Sequence, residues 1–495
     1  MDRARRSRII LSGAKKAKNG VKQAAPENYR TQCFVPSRRS GILESLNAPI
    51  SLSRVETFPG VAGLRRFCGH ARAETNIAGS IGHDPKRLPS RRLSNQHSKL
   101  QTEDQDDDEN EYDSLRERTG TGYRTGLILA LRMNALISGA DVIDKVLDGE
   151  RVSKEEALEL YGLPIEELGA LADHRRKLAK AAAYGGRGNE IVTYIVERNI
   201  NYTNVCNVYC KFCAFYRTEK DPDFYVLTHE QIDQKIEELV GIGGVQILMQ
   251  GGHNPKLGID YYLDLLSHIR EKFPQINIHA FSPPEFNHFA EVFGMSLRDI
   301  IVRFREAGLG SIPGGGGEIL VDRVRNRIAP LKCNTEQWLR VMEIAHEEGL
   351  RSSATMMFGH VETIEDRIEH LDRIRELQDQ TGGFTAFICW TFQPENVVLK
   401  AKPVGSAEYL RTQALARIYL DNVENLQSSW VTQGPKIGQL ALSYGANDYG
   451  SVMMEENVVS SAGTTFRLSR EEIERLITEA GYEPHSRNNV YGLLN

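Results

Sequence analysis

The sequence predicts an α/β protein, a (β/α)8 barrel of TIM type with a helical N-terminal preface and a disordered basic N-terminal extension. Three observations predict the barrel. Short apolar runs alternate with amphipathic helical patterns at spacings of about 30–45 residues, the rhythm of a parallel sheet built from βαβ units. Eight such runs can be placed, the number that closes a barrel. Polar or glycine-rich clusters follow the first five runs in turn. A barrel carries its chemistry there, on the loops that leave the C-terminal ends of the strands.

Residues 1–118 form the extension. Its first hundred residues hold roughly 20 Lys/Arg against about 6 Asp/Glu, and then Glu103-Asp104-Gln105-Asp106-Asp107-Asp108-Glu109 reverses the sign. Few sustained apolar periods occur in this Ser-, Arg-, Gly- and Pro-rich stretch, so it buries too little surface to offset the entropy of ordering. A transit peptide and a nucleic-acid-binding arm rank behind plain disorder, and a true start at Met133 is a third alternative. Residues 119–188 are the helical preface, in which Val142-Ile143-Asp144-Lys145-Val146-Leu147 and Lys154-Glu155-Glu156-Ala157-Leu158-Glu159-Leu160 read as short amphipathic helices.

Residues 189–495 carry the barrel and a C-terminal extension. The strands are predicted at 191–196, 245–249, 276–281, 311–312, 352–357, 385–390, 425–430 and 446–449. Helical patterns fill 228–242, 261–272, 297–307, 335–348, 364–380 and 406–422. Thr228 and Thr335 stand where helix-capping hydroxyls belong.

Composition excludes several classes. At 495 residues, with 40% hydrophobic and 26% charged residues, the chain is neither fibrous nor disordered as a whole. No apolar run reaches the roughly 18 residues of a membrane span. Seven cysteines, three of them clustered, are not a disulfide framework and suit a reducing cytosol, so the predicted location is cytoplasmic.

Chemistry concentrates after the first strand, where Cys206, Cys210 and Cys213 stand in a C-x3-C-x2-C array. Three thiolates on one loop can converge on an iron–sulfur cluster or on zinc. A structural zinc site needs a fourth ligand, and no His or Cys follows closely; a cubane held by three thiolates keeps one iron open. A buried cysteine stripe on a helix is disfavoured by the flanking Asn201-Tyr202-Thr203-Asn204. Cys33, Cys68, Cys333 and Cys389 match no ligand spacing and read as plain thiols.

This array, with Phe212 before its last cysteine, resembles the signature of the radical S-adenosylmethionine superfamily. The resemblance implies a [4Fe–4S] cluster on the three cysteines and S-adenosyl-L-methionine on the open iron, with Phe212 against the adenine. It further implies cofactor contacts at Gly251 and Gly252, where any Cβ would intrude on the methionine end, and at Glu318. Over residues 190–495, segments such as His279-Ala280-Phe281-Ser282-Pro283-Pro284-Glu285, Thr355-Met356-Met357-Phe358-Gly359-His360-Val361-Glu362 and Ser429-Trp430-Val431-Thr432-Gln433-Gly434 are similar to the cyclic dehypoxanthinyl futalosine synthase family of menaquinone biosynthesis. Aminofutalosine synthase and the radical components of deazaflavin (FO) synthase are its near relatives.

The family implies a radical cyclase, an oxidoreductase that forms a C–C bond in dehypoxanthine futalosine, with a reductant such as flavodoxin or ferredoxin and neither nucleic acid nor membrane as partner. Ser282, Glu285, Gln427 and Ser429 stand at strand ends as candidate substrate contacts. His253, His360 and Glu362 are candidate proton acceptors, with helix capping the alternative for Glu362. Two features depart from the family: His253 replaces a usually apolar residue, and the long basic N-terminus has no counterpart. The rival class is a zinc-stabilised protein whose basic arm binds nucleic acid.

Overall fold

The structure, a computed structural model, describes residues 140–494. The extension at 1–118, the start of the preface including Met133, and Cys33 and Cys68 lie outside the described residues. The chain enters through three helices, Ala140–Leu147, Lys154–Tyr161 and Ile165–Lys180. Ser153 caps the second, with Glu156 completing a capping box. The third buries Leu168, Leu171 and Ala172 on one face and lies against Tyr444, whose ring fills the space where a Cβ on Gly169 would go.

Eight strands then alternate with helices: β1 (Ile191–Ile200), β2 (Gln246–Met249), β3 (Asn277–Ala280), β4 (Ser311–Ile312), β5 (Arg351–Phe358), β6 (Phe384–Thr391), β7 (Asn425–Gln427) and β8 (Asp448–Met453). Each pairs in parallel with the next, and β8 returns to β1, so the sheet closes as a barrel. A ninth strand, β9 (Glu483–Ser486), was not predicted. It pairs with Ile191–Tyr194, below the stretch of β1 that pairs with β2, and so occupies the lower half of the same edge. Arg487, the next residue, is thereby delivered into the lower end of the lumen, where it meets both carboxylate oxygens of Asp448.

The helices pack because their apolar residues repeat at helical spacing. Tyr262, Leu265, Leu266 and Ile269 of the helix Ile259–Lys272 all lie buried on one side. An aromatic knot forms where Tyr262 meets Phe289 at 4.5 Å and Phe281 meets Phe304 at 5.3 Å between ring centroids. The helix Pro283–Phe293 fills a stretch expected to be a loop, because Pro283 and Pro284 occupy the first turn, where a missing N–H does no harm. Thr228 caps its helix as predicted. The helix Thr335–Glu347 is capped instead by Asn334, and the Thr335 hydroxyl donates to Asp322 at 2.7 Å.

Candidate functional site

The loop after β1 is held by its own backbone and by short polar side chains. The Asn204 amide donates to the Asp223 carbonyl at 2.9 Å and its oxygen accepts from Tyr225 N–H at 2.8 Å. Cys206 N–H donates to Arg217 O at 3.0 Å, and Arg217 N–H returns to Asn204 O at 2.8 Å. Between them Tyr209 takes a positive φ of 54°, a conformation that costs a bulky residue energy and that clusters at functional loops. All three cysteines are half-buried and free. Burial pushes the Cys210 thiol up to about 12; Lys332 opposes this, while Glu318, Cys213 and Cys206 add to it. Burial likewise raises Cys213, and Cys206 is again among the groups it feels. The three thiols thus stand near enough on one loop to feel one another's charge. Metal binding there must expel protons and is coupled to pH.

Among the described residues, no group of three His, Cys, Asp or Glu is spaced for a single metal ion. A cubane spreads its thiolates over three separate irons, so it asks for a wider triangle of sulfurs than one ion does. Beside that triangle stands Glu318, buried and at a positive φ of 35°. Lys332 donates to its Oε1 at 2.7 Å. Its Oε2 has no hydrogen-bond partner, although Arg325 lies 4.0 Å away. A buried carboxylate oxygen left without a donor is costly unless a ligand supplies one. The Lys332 ammonium also sits 5.3 Å from the centre of the Phe212 ring. Burial opposes the charge on Lys332, yet Glu318 and Cys210 outweigh it and raise its pKa. Cysteine triangle, aromatic ring and under-satisfied carboxylate form a cradle that suits an iron–sulfur cluster bearing an amino-acid and nucleoside ligand.

The glycines of the second loop have a different local reason from the one expected. A Cβ on Gly252 would stand 2.2 Å from Val205 O and 2.9 Å from the Cys206 Cβ, and one on Gly251 2.5 Å from the Tyr202 ring. Bare backbone is therefore demanded by the cysteine loop itself. The Gly251 N–H donates to Glu285 at 3.1 Å and the Gly252 N–H to Thr203 O at 2.9 Å.

Ser282 and Glu285 stand apart from the lumen. They form a capping box at the head of the helix Pro283–Phe293. The Glu285 carboxylate accepts from Tyr202, from Gly251 N–H and twice from Ser282. Every lone-pair direction of that carboxylate is in use, so it holds loops together instead of meeting a ligand. His360 and Glu362 are likewise committed. His360 Nδ1 lies 2.7 Å from Val361 N and 3.0 Å from Glu362 Oε2, and its Nε2 lies 3.1 Å from Met357 O. Glu362 accepts from Gly359 N–H, His360 N–H and Arg367, while the following helix is capped by Thr363 with Asp366. His253 keeps its ring nitrogens free of hydrogen bonds among the described residues and packs 4.9 Å from His288. Burial, with His288 and Lys332 adding, drives its imidazole well below the ordinary 6.5.

A cavity of about 300 Å³ fills the barrel lumen. Glu318, Gln427 and Ser429 line it, whereas His253, Ser282, Glu285, His360 and Glu362 do not. The Gln427 amide makes no hydrogen bond among the described residues. Ser429 Oγ shares a 2.9 Å bond with Thr432. Sequence reasoning missed Lys332, Gln250 and His279, the last two lining the cavity. Lys332 lacks any motif signal, being fourteen residues beyond Glu318. His279 and Gln250 were signalled by strand alternation, since a polar residue on the inward face of a barrel strand must look into the lumen.

Comparison with known proteins follows the same division of the chain. Residues 200–374 match the radical SAM superfamily, and residues 381–495 match the CofH/MqnC C-terminal region. A cyclic dehypoxanthine futalosine synthase of Halalkalibacterium halodurans is 46% identical over 71% of this chain and 94% of that protein. Another of the same name from Streptomyces coelicolor is 48% identical over 71% of this chain and 87% of its own length. The crystal structure of methylornithine synthase superposes with a TM-score of 0.53 at 18% identity, over 69% of this chain and 97% of that one, which speaks for the barrel alone.

Proposed function

The chain belongs to the radical SAM superfamily and, within it, to the family of the cyclic dehypoxanthine futalosine synthases; from that premise we propose that it cyclises dehypoxanthine futalosine in menaquinone biosynthesis. Cys206, Cys210 and Cys213 would hold the [4Fe–4S] cluster, which together with S-adenosylmethionine supplies a 5′-deoxyadenosyl radical when bound. Phe212 would lie against the adenine, with Gly251 and Gly252 shaping the loop over the cysteines. Glu318 is the cofactor's carboxylate partner in this reading, because its Oε2 is buried and lacks a donor. That oxygen is the observation that carries the cofactor assignment.

The substrate enters the lumen with its ribose toward the strand ends and its aromatic ring below. Loss of hydrogen from C4′, closure of that carbon onto the benzoate ring, and departure of an electron and a proton give the spiro product. The sum balances: substrate and S-adenosylmethionine yield cyclic product, methionine, 5′-deoxyadenosine and one proton. The residues of this chain bind and orient. Gln427 offers donor and acceptor to the substrate hydroxyls, and Ser429 turns its hydroxyl toward the same space. The apolar walls exclude water and so protect a carbon radical. Starting the cycle needs one electron from a donor of the flavodoxin or ferredoxin type, in a reducing cytoplasm. No helix among the described residues is long and apolar enough to cross a membrane.

The test is anaerobic turnover with reconstituted protein and dithionite. The expected product is lighter than dehypoxanthine futalosine by two hydrogens. Turnover of an enolpyruvyl or tyrosine substrate in its place would reassign the chain to a neighbouring activity. One tightly held zinc and no iron would reject the radical reading altogether.

A further inference from the structure

The loop that carries the cysteines is tied at one residue to the loops that follow β4 and β6. Lys211, next to Cys210, donates its N–H to Ile328 O at 2.9 Å, and its carbonyl accepts from Leu399 N–H at 2.7 Å. Its ammonium donates to Arg327 O at 2.7 Å. The second of these loops is held again where the Lys332 ammonium stands 5.3 Å from the centre of the Phe212 ring. Three stretches remote in sequence, 207–211, 326–331 and 395–402, thereby meet beside Cys210.

Their common surface has an apolar centre. Val398 is 67% exposed and Leu331 64%, the two most exposed large apolar side chains among the described residues, and the Tyr209 ring is 49% exposed. Val398 adjoins Leu399 and Leu331 adjoins Lys332, so each stands one residue from a contact to the cysteine loop. Exposed apolar residues scattered singly are ordinary, whereas several gathered on one spot mark an interface.

The rim is basic. Lys211, Arg327, Lys400 and Lys402 are all exposed, and none of the four has an ion pair among the described residues. The side chains of Lys211 and Lys400 donate only to the carbonyls of Arg327 and Val397. Glu395 is the one acidic residue within the three stretches, and its carboxylate is turned against Gly463. An apolar centre inside a cationic rim complements a partner with an apolar centre inside an acidic rim. A flavin held at the surface of an acidic protein offers such a centre in its dimethylbenzene edge.

We propose that this surface docks an acidic, flavin-carrying one-electron donor of the flavodoxin type and receives its electron beside Cys210. The proposal rests on the radical SAM reading above and adds to it the place where the reductant binds. The donor's anionic flavin hydroquinone loses one electron and becomes the neutral semiquinone, while the cluster gains that electron. No proton moves and no bond breaks.

The test uses full-length protein reconstituted with its cluster and a bacterial flavodoxin as the probe. Two double variants at exposed positions alter rim and centre separately: Arg327→Glu with Lys400→Glu, and Leu331→Gln with Val398→Asn. Reduction of the cluster by flavodoxin hydroquinone, followed by stopped flow, is expected to slow roughly ten- to hundredfold in the charge-reversed variant at low ionic strength. The wild-type rate should fall toward that of the variant as salt is added. The apolar variant should keep the salt dependence and raise the Kd of oxidised flavodoxin roughly tenfold in calorimetry. Dithionite needs no docking and should reduce all three proteins at similar rates, which checks that the cluster site is intact. A wild-type cluster that flavodoxin hydroquinone does not reduce, or variants reduced at the wild-type rate, would overturn the proposal and leave the cyclase reading standing. Flavodoxin-driven reduction lost in the variants, from protein that makes no cyclic product with dithionite, would uphold the surface and remove the cyclase reading. Zinc in place of iron removes both.

Discussion

Single residues decide whether the cofactor cradle forms. Replacing Cys206, Cys210 or Cys213 by alanine is expected to abolish stable iron incorporation and reduce 5′-deoxyadenosine release to background, read by iron and sulfide analysis and by chromatography. Lys332 is the residue whose loss tests the charge balance behind them. With Lys332→Met, Glu318 is left as a buried anion facing only the distant Arg325, and unfolding in urea should show about 3–5 kcal/mol less stability. Adding Glu318→Gln to that variant should restore much of the loss, since the stranded charge is gone. The cysteine spacing made the radical SAM superfamily legible in the sequence, because such a signature is carried by a few neighbouring residues. The Glu318–Lys332 pair was half legible: the carboxylate stands in a glycine-rich loop, but its partner arrives from a separate loop, and only the fold brings them together. His279 was visible as a letter in a quoted motif, yet its place in the lumen depends on which strand face looks inward.

Elements account for the candidates that turned out to be fastened to the scaffold. Ser282 and Glu285 sit at a strand end, as binding residues do, but two prolines after Ser282 start a helix and make the pair its cap. Ser282→Ala should cost about 1 kcal/mol of stability and leave KM for substrate unchanged, measured by urea unfolding beside steady-state kinetics. Glu362 belongs to the turn after β5. Burial pushes its carboxyl up, but His360, Arg367 and the N–H groups of Gly359 and His360 outweigh that and hold it below the ordinary 4.5. A carboxylate with a lowered folded pKa contributes fully above its unfolded value and loses the contribution as pH falls through the folded one. The stability gap between wild-type and Glu362→Gln, about 3 kcal/mol at neutral pH, should therefore narrow below about pH 4.5 in urea titrations. Helix patterns were readable where apolar spacing was strict, as in Leu297–Ala307. The strand β9 was not, because Glu483–Ser486 has no alternation of its own and pairs only through the unfilled edge of β1.

At the scale of the whole molecule, closure of the sheet does two things at once. It sets the cysteine loop, the glycine loop and Glu318 around one end, and it leaves a lumen of about 300 Å³ beneath them, within the range of small-molecule sites. Arg487, carried in by β9, braces the lower end through Asp448. Arg487→Met should cost about 3–5 kcal/mol by leaving Asp448 buried and unpaired, seen as a lower urea midpoint. The account as a whole requires the substrate ribose to lie under the cofactor cradle. The most direct measurement uses dehypoxanthine futalosine carrying deuterium at C4′, with reconstituted protein, S-adenosylmethionine and dithionite. The account predicts one deuterium in the 5′-deoxyadenosine formed with each cyclic product. Unlabelled 5′-deoxyadenosine accompanying cyclic product, with deuterium retained in that product, would contradict it.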